Sequence, residues 1–173
     1  MRSLIPTLLV TVLLSCSGGK STPAESTVSD SAAVCREILA QVGQMYRHVL
    51  QEDTARSTYL STSYRQMCAL GDSLADGMIW GADWDGWTMS QDPGPSPTLV
   101  QAEVLSLDAE DRATVQCTID IGTPSRECHT TAILLLIREG DRWLVDDFVD
   151  VRHGRLSFRQ AGERDIETMK GEQ

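Results

Sequence analysis

The spacing of apolar residues changes twice along the chain, and each change marks a new kind of element. Val34, Ile38, Val42, Met45, Tyr46 and Val49 recur at three- and four-residue steps. That period predicts a helix over residues 31–51 with one buried face, and Asp30 stands where its N-cap is wanted. Gln51-Glu52-Asp53-Thr54 interrupts the pattern, after which Leu60, Tyr64, Met67, Gly71 and Leu74 mark a second amphipathic helix over residues 61–76. The two are expected to pack antiparallel. From Thr98 the step becomes two: Val100, Ala102 and Val104 alternate with Gln101 and Glu103, and a turn follows near residues 108–111. Ala113, Val115, Cys117, Ile119 and Ile121 then alternate with Thr114, Gln116, Thr118 and Asp120, predicting a strand with one buried and one wet face. After a turn over residues 122–126, residues 127–138 include the run Ala132 to Ile137, apolar on both faces, which predicts a central strand. Glu139-Gly140-Asp141 turns into a last strand over residues 142–149. Ser157 with Gln160 three residues on forms a capping box ahead of a terminal helix over residues 158–169, packing through Leu156, Ala161 and Ile166.

Between the second helix and the first strand lies a stretch without either period. Residues 79–97 hold three of the four tryptophans, Trp80, Trp84 and Trp87, among glycines, acids and prolines. Tryptophan seldom sits in a mobile polar linker without packing, so this composition predicts an ordered loop. Two helices, a structured crossover and an antiparallel meander specify an α+β domain over residues 31–170, in which a sheet curls around the helices.

The amino terminus carries information of a different kind. Arg2, an apolar run from Leu4 to Leu14, and Leu13-Leu14-Ser15-Cys16 make an export signal over residues 1–15; the run is too short for a permanent membrane span. The stretch resembles a bacterial lipobox. That resemblance implies cleavage before Cys16, a diacylglyceryl thioether on its sulfur, and acylation of the new amino terminus, hence anchoring by two or three acyl chains. Residues 16–30, rich in Ser, Thr, Gly, Pro and Ala, are expected to serve as a flexible tether.

The formal charge is −10, and removing a segment with one Arg and no acid leaves the remainder more acidic still. Such a chain is a poor ligand for nucleic acid and is repelled by anionic headgroups, so membrane contact is expected through the lipid and tether alone. With Cys16 set aside, Cys35, Cys68, Cys117 and Cys128 remain, an even number suited to an oxidising compartment. Three connectivities are possible; the helix pair and the hairpin favour Cys35–Cys68 and Cys117–Cys128. No metal or cofactor is expected. Cys117, Cys128 and His129 do not match zinc-ligand spacing, and His48 and His153 lack partners at motif spacing.

The order helix, helix, aromatic loop, long strands and closing Gly140-Asp141-Arg142-Trp143-Leu144-Val145-Asp146-Asp147-Phe148 resembles the NTF2-like (cystatin-like) superfamily. With the lipobox and the segment from Asp85 to Gln91-Asp92, it is similar to small bacterial lipoproteins of a domain family of unknown function, many from Bacteroidetes. The resemblance implies a cone with a pocket between the concave sheet and the first helices, where some members perform acid–base chemistry with an aspartate. Asp85 and Asp92 are the candidate catalytic carboxylates, since burial against Trp84 or Trp87 would raise their pKa; both also occupy ordinary turn positions, before Gly86 and Pro93. Trp84, Trp87, Gln91, Asp92, Tyr46 and Tyr64 are the candidate ligand-binding residues; Tyr46 and Tyr64 are also readable as core, and the tryptophan loop either stacks on a sugar ring or hydrophobic ligand or closes the open end of the core as a lid. Asp146-Asp147 is expected to diverge across the strand, one carboxylate solvated and the other paired with Arg142 or Arg47. Cys128 and His129 likewise diverge and do not make a nucleophile and base.

The function expected is a lipid-anchored envelope protein with a non-catalytic ligand-binding or protein-interaction domain. Its partner would be a small molecule or an envelope protein. The alternatives are a small pocket enzyme or a periplasmic toxin inhibitor. By resemblance to lipoprotein sorting, Ser17-Gly18-Gly19-Lys20 after Cys16 directs it to the outer membrane, facing the periplasm.

Overall fold

The structure is a computed structural model that describes residues 25–51, 53–109, 111–122 and 128–172. The export signal, Cys16 and the first part of the expected tether lie outside the described residues. Helix α1 (Glu25–Val49) and a 3₁₀ turn (Asp53–Tyr59) precede helix α2 (Thr62–Ala75). Strands β1 (Thr98–Leu107), β2 (Arg112–Asp120), β3 (His129–Glu139), β4 (Arg142–Asp150) and β5 (Leu156–Ser157) follow, and helix α3 (Phe158–Gly171) closes the described chain. The sheet is an antiparallel meander in sequence order, with β3 central. Helices on one curved antiparallel sheet give the α+β layering expected of an NTF2-like cone.

The helical stripe read in the sequence is the buried face of α1: Ile38, Val42, Met45, Tyr46 and Val49 are all within the core. This helix begins at Glu25, so Asp30 is interior to it and the expected tether is already helical there. In β2, Ala113, Val115, Cys117 and Ile119 are buried on one face, and β3 buries both Ile133 and its neighbours Ala132 and Leu134, as a middle strand should. Val100 and Leu105 are each an extra residue in β1, at two breaks in its pairing with β2, and both are exposed. Bulges on an edge strand blunt its tendency to pair with another chain.

The helix pair differs from expectation. Helix α1 lies over β1, whereas α2 packs on α3, with Trp80 wedged between them. A Cβ on Gly71 would stand 2.2 Å from the Trp80 ring, and one on Gly162 3.0 Å from it, so these glycines make room for the indole. Its Nε1 donates to Asp72 at 3.0 Å.

Separation of α1 from α2 removes the basis for a Cys35–Cys68 bridge. The β2–β3 register removes that for Cys117–Cys128: Cys117 faces Ala132, while the Cys128 carbonyl accepts from Ile121, just past the end of β2 and four residues on from Cys117. Four residues of strand span about 13 Å, beyond disulfide reach. All four are free thiols. Burial pushes Cys117 up to about 12, partly offset by a hydrogen bond with Tyr46. Burial, helped by Asp72, also raises Cys68, against the opposing charge of Arg159.

Asp146 and Asp147 depart from strict alternation for a local reason. Leu135 pairs with Asp147 and Leu136 with Val145, leaving Asp146 as the extra residue of a bulge. Both carboxylates consequently reach one cluster, and their partner is Arg159 rather than Arg142 or Arg47. Asp146 Oδ1 accepts from Ser61 Oγ at 2.6 Å, Ser63 Oγ at 2.8 Å and Arg159 Nη2 at 2.7 Å. Asp147 accepts from Ser157 Oγ at 2.6 Å and from the Arg159 backbone amide at 2.9 Å. Ser61 and Ser157 are the N-caps of α2 and α3, each accepting from a backbone amide of its own helix.

Two expectations follow. Asp147→Ala leaves three donors unmatched, including the Phe148 amide at 2.8 Å, and should cost about 3 kcal/mol in urea unfolding at neutral pH with an unchanged m-value. Burial alone would raise Asp146, but the Ser61 and Ser63 hydroxyls and the Arg159 charge outweigh it and hold the carboxyl below its ordinary value. A carboxylate depressed in the folded state stabilises fully above its unfolded pKa of about 4, and that contribution disappears as pH falls through the folded value. Stability should decline below about pH 4, and Asp146→Asn should make this acid limb shallower in unfolding measured across pH.

Candidate binding groove

The cone interior is filled by aromatic rings. Tyr46 meets Trp87 edge-on at 5.8 Å, Trp87 meets Phe148 at 5.0 Å, and Tyr64 meets Phe148 at 5.9 Å. Tyr46, Tyr64 and Trp87 are buried among these rings, where the core reading of the two tyrosines places them. The Tyr46 hydroxyl donates to the Trp87 carbonyl at 3.1 Å, and burial, reinforced by Cys117, raises its pKa well above the usual phenol. Tyr64 is raised likewise, chiefly by burial. A groove of about 650 Å³ between α1 and the entry to β1 includes Tyr46 alone among the six candidate ligand-binding residues.

Asp85 organises the loop instead of facing a cavity. Its carboxylate accepts from the Trp87 amide and the Thr88 hydroxyl, both at 3.0 Å, and pairs with Arg56 at 3.2 Å. Its backbone bridges Ser90. The loop is further held by Thr130 Oγ1 donating to the Thr88 carbonyl at 2.6 Å, and Gly94 donates to Ile121 at 3.0 Å. These bonds use the loop's own backbone groups, which is how a segment without regular structure is ordered.

Three of the candidates meet elsewhere. Trp84, Gln91 and Asp92 line an open groove of about 460 Å³ with Met89, Ser90, Arg152 and His153. Gln91 and Asp92 are exposed. The far wall comes from the turn after β4, anchored by Asp150, whose side chain is fully buried. Asp150 Oδ1 accepts from the Arg152 amide at 2.7 Å; Oδ2 accepts from His153 Nδ1 at 2.8 Å and pairs with Arg152 Nη2 at 3.4 Å. Burial opposes the charged form of Asp150, but these His153 and Arg152 contacts overcome it and lower its pKa. Arg152 Nη2 also donates to the Met89 carbonyl, joining the two walls. Met89 is itself buried and holds a left-handed backbone, φ 51°.

His153 lies on Trp84 at 4.7 Å between ring centroids, tilted by 40°. With Nδ1 committed to Asp150, its Nε2 is the ring nitrogen left for the groove. The sequence reading missed Asp150, Arg152 and His153. Their signal was an aspartate at a strand end followed by Arg and His two and three residues on, the spacing at which an Asx turn folds back on its own carboxylate. Thus His153 does have a local partner, a carboxylate. Among the described residues no three His, Cys, Asp or Glu side chains converge as a metal site.

Gly86 sets how closely this loop approaches the sheet: a Cβ there would lie 2.7 Å from the Phe148 ring. Gly86→Ala should lower stability by about 1–3 kcal/mol and shift the Trp84 and Trp87 indole resonances, measured by denaturation and NMR. Comparison of the chain with protein-family models, curated proteins and solved structures finds no match.

Proposed function

We propose that this protein is a lipid-anchored cell-envelope lipoprotein of the NTF2-like kind, acting as a non-catalytic binding module through the groove at Trp84, Gln91, Asp92, Arg152 and His153. It sits at the outer membrane facing the periplasm. The observation that carries the binding reading is the division of the molecule into an aromatic interior and an open polar groove. Acid–base chemistry of the kind expected for Asp85 or Asp92 requires a carboxylate in a water-excluding cavity. Asp85 is tied to Trp87, Thr88 and Arg56, and Asp92 is exposed, so the arrangement favours recognition over the enzyme alternative. The anchor rests on the lipobox resemblance at Leu13-Leu14-Ser15-Cys16; among the described residues no helix is long and apolar enough to cross a membrane.

The anchor and the groove are tested separately. Cys16→Ser should move the protein from the membrane to the soluble fraction and remove the acyl mass from its amino-terminal peptide; unchanged membrane retention without acyl mass would count against the lipid. Native mass spectrometry of the full chain, released from membranes in mild detergent, should find a retained ligand or partner that Asp92→Ala loses. Equal occupancy of wild type and variant would move the binding site away from the groove.

A further inference from the structure

The chemistry of the groove narrows what it accepts. An anion site would present unbalanced positive charge, but Arg152 is already paired with Asp150 at 3.4 Å, and the opposite wall adds the carboxylate of Asp92. A site for an apolar ligand would be lined with aliphatic side chains, whereas Met89 is fully buried and the exposed lining is Gln91, Asp92, Arg152 and His153. What remains is one aromatic stack, His153 on Trp84, ringed by an amide, a carboxylate and a guanidinium. These planar groups each offer two neighbouring hydrogen-bonding atoms, matched to adjacent hydroxyls on a ring. The apolar C–H face of the same ring fits an aromatic surface.

We propose that the groove binds a neutral saccharide, with one sugar ring lying on the His153 and Trp84 stack and its hydroxyls bonded by Gln91, Asp92 and Arg152. This assignment rests on the binding reading above. Asp150 is the positioning residue. Buried behind the groove, it fixes both Arg152 and His153 before any ligand arrives, so less side-chain freedom is lost on binding. Arg152 bonds Met89 and Asp150 through Nη2, leaving its other N–H groups as donors, and His153 keeps Nε2. The groove is open to solvent, which suits a chain of sugars rather than a single enclosed one. Its volume of about 460 Å³ lies within the range of small-ligand sites.

The test is NMR titration of the full chain in detergent with three uncharged probes, the α-1,4 and β-1,4 glucose trimers and the N-acetylglucosamine trimer, following the Trp84 indole and His153 imidazole resonances. At least one trimer should shift both resonances saturably. Gln91→Ala and Asp92→Ala, exposed positions that leave the core intact, should each weaken that trimer at least tenfold. Asp150→Asn should weaken it and move the His153 ring resonances of the ligand-free protein at a temperature where its unfolding curve shows the domain still folded, whereas a merely destabilised but correctly positioned site would keep wild-type affinity and ring resonances at that temperature. No saturable shift with any trimer overturns the saccharide assignment. If the native mass spectrum then still shows a different ligand lost in Asp92→Ala, the binding reading stands without it; if wild type and variant are equally bare, both readings fall.

Discussion

The bulge in β4 is the feature on which the rest of the domain depends. One extra residue at Asp146 turns two adjacent carboxylates toward the same cluster, where regular alternation would send them to opposite faces. Each then holds the N-cap serine of a different helix, Ser61 for α2 and Ser157 for α3, while Arg159 lies between them and over the Tyr64 ring at 5.3 Å. The Ser61 amide donates to the Val145 carbonyl at 2.8 Å, so the entry to α2 is also bonded to the strand backbone. A helix N-terminus has unsatisfied amides and a positive dipole end; Asp147 accepts from the Arg159 amide in the first turn of α3, and at α2 Asp146 holds the Ser61 and Ser63 hydroxyls. Charged hydrogen bonds of this kind are each worth about 1.5–3 kcal/mol, more than surface ion pairs.

Once α2 and α3 are fixed, the aromatic interior follows. Phe148, next to the bulge, is the ring that Tyr64, Trp87 and Phe158 all approach, at 5.9, 5.0 and 5.9 Å. Such contacts contribute about 0.5–1.5 kcal/mol each beyond area burial. They also occupy much of the space between the sheet and the helices. The loop carrying Trp84 and Trp87 can approach this closely only because residue 86 lacks a side chain, as Gly71 and Gly162 do beneath Trp80.

At the rim, one strand end sets the groove. Strand β4 finishes at Asp150, a fully buried carboxylate that turns the chain back toward β5 and orients Arg152 and His153 at the same time. Arg152 then reaches the Met89 carbonyl, so the turn and the tryptophan loop hold each other. The same strand therefore supplies both the helix anchors and the groove wall.

Elements governed by local period were legible in the sequence. The buried stripe of α1, the alternation of β2, the two-faced burial of β3, and the capping serine ahead of α3 all follow from spacing, because burying one face requires apolar residues at that face's period. The lipobox resemblance is likewise a linear signal. What lay beyond the sequence depended on contacts between distant residues. Pairing of α2 with α3 rather than α1 is set by Trp80 fitting against Gly71 and Gly162, far apart in the chain. Free thiols at Cys117 and Cys128 reflect a hairpin register that composition does not encode. Asp146 and Asp147 looked divergent because alternation is the default, and only the pairing of β4 with β3 introduces the residue that breaks it. Of the candidate ligand residues, Tyr46, Tyr64 and Trp87 went to the core and Trp84, Gln91 and Asp92 to the groove. An aromatic side chain suits either place, and the tertiary packing around it decides which.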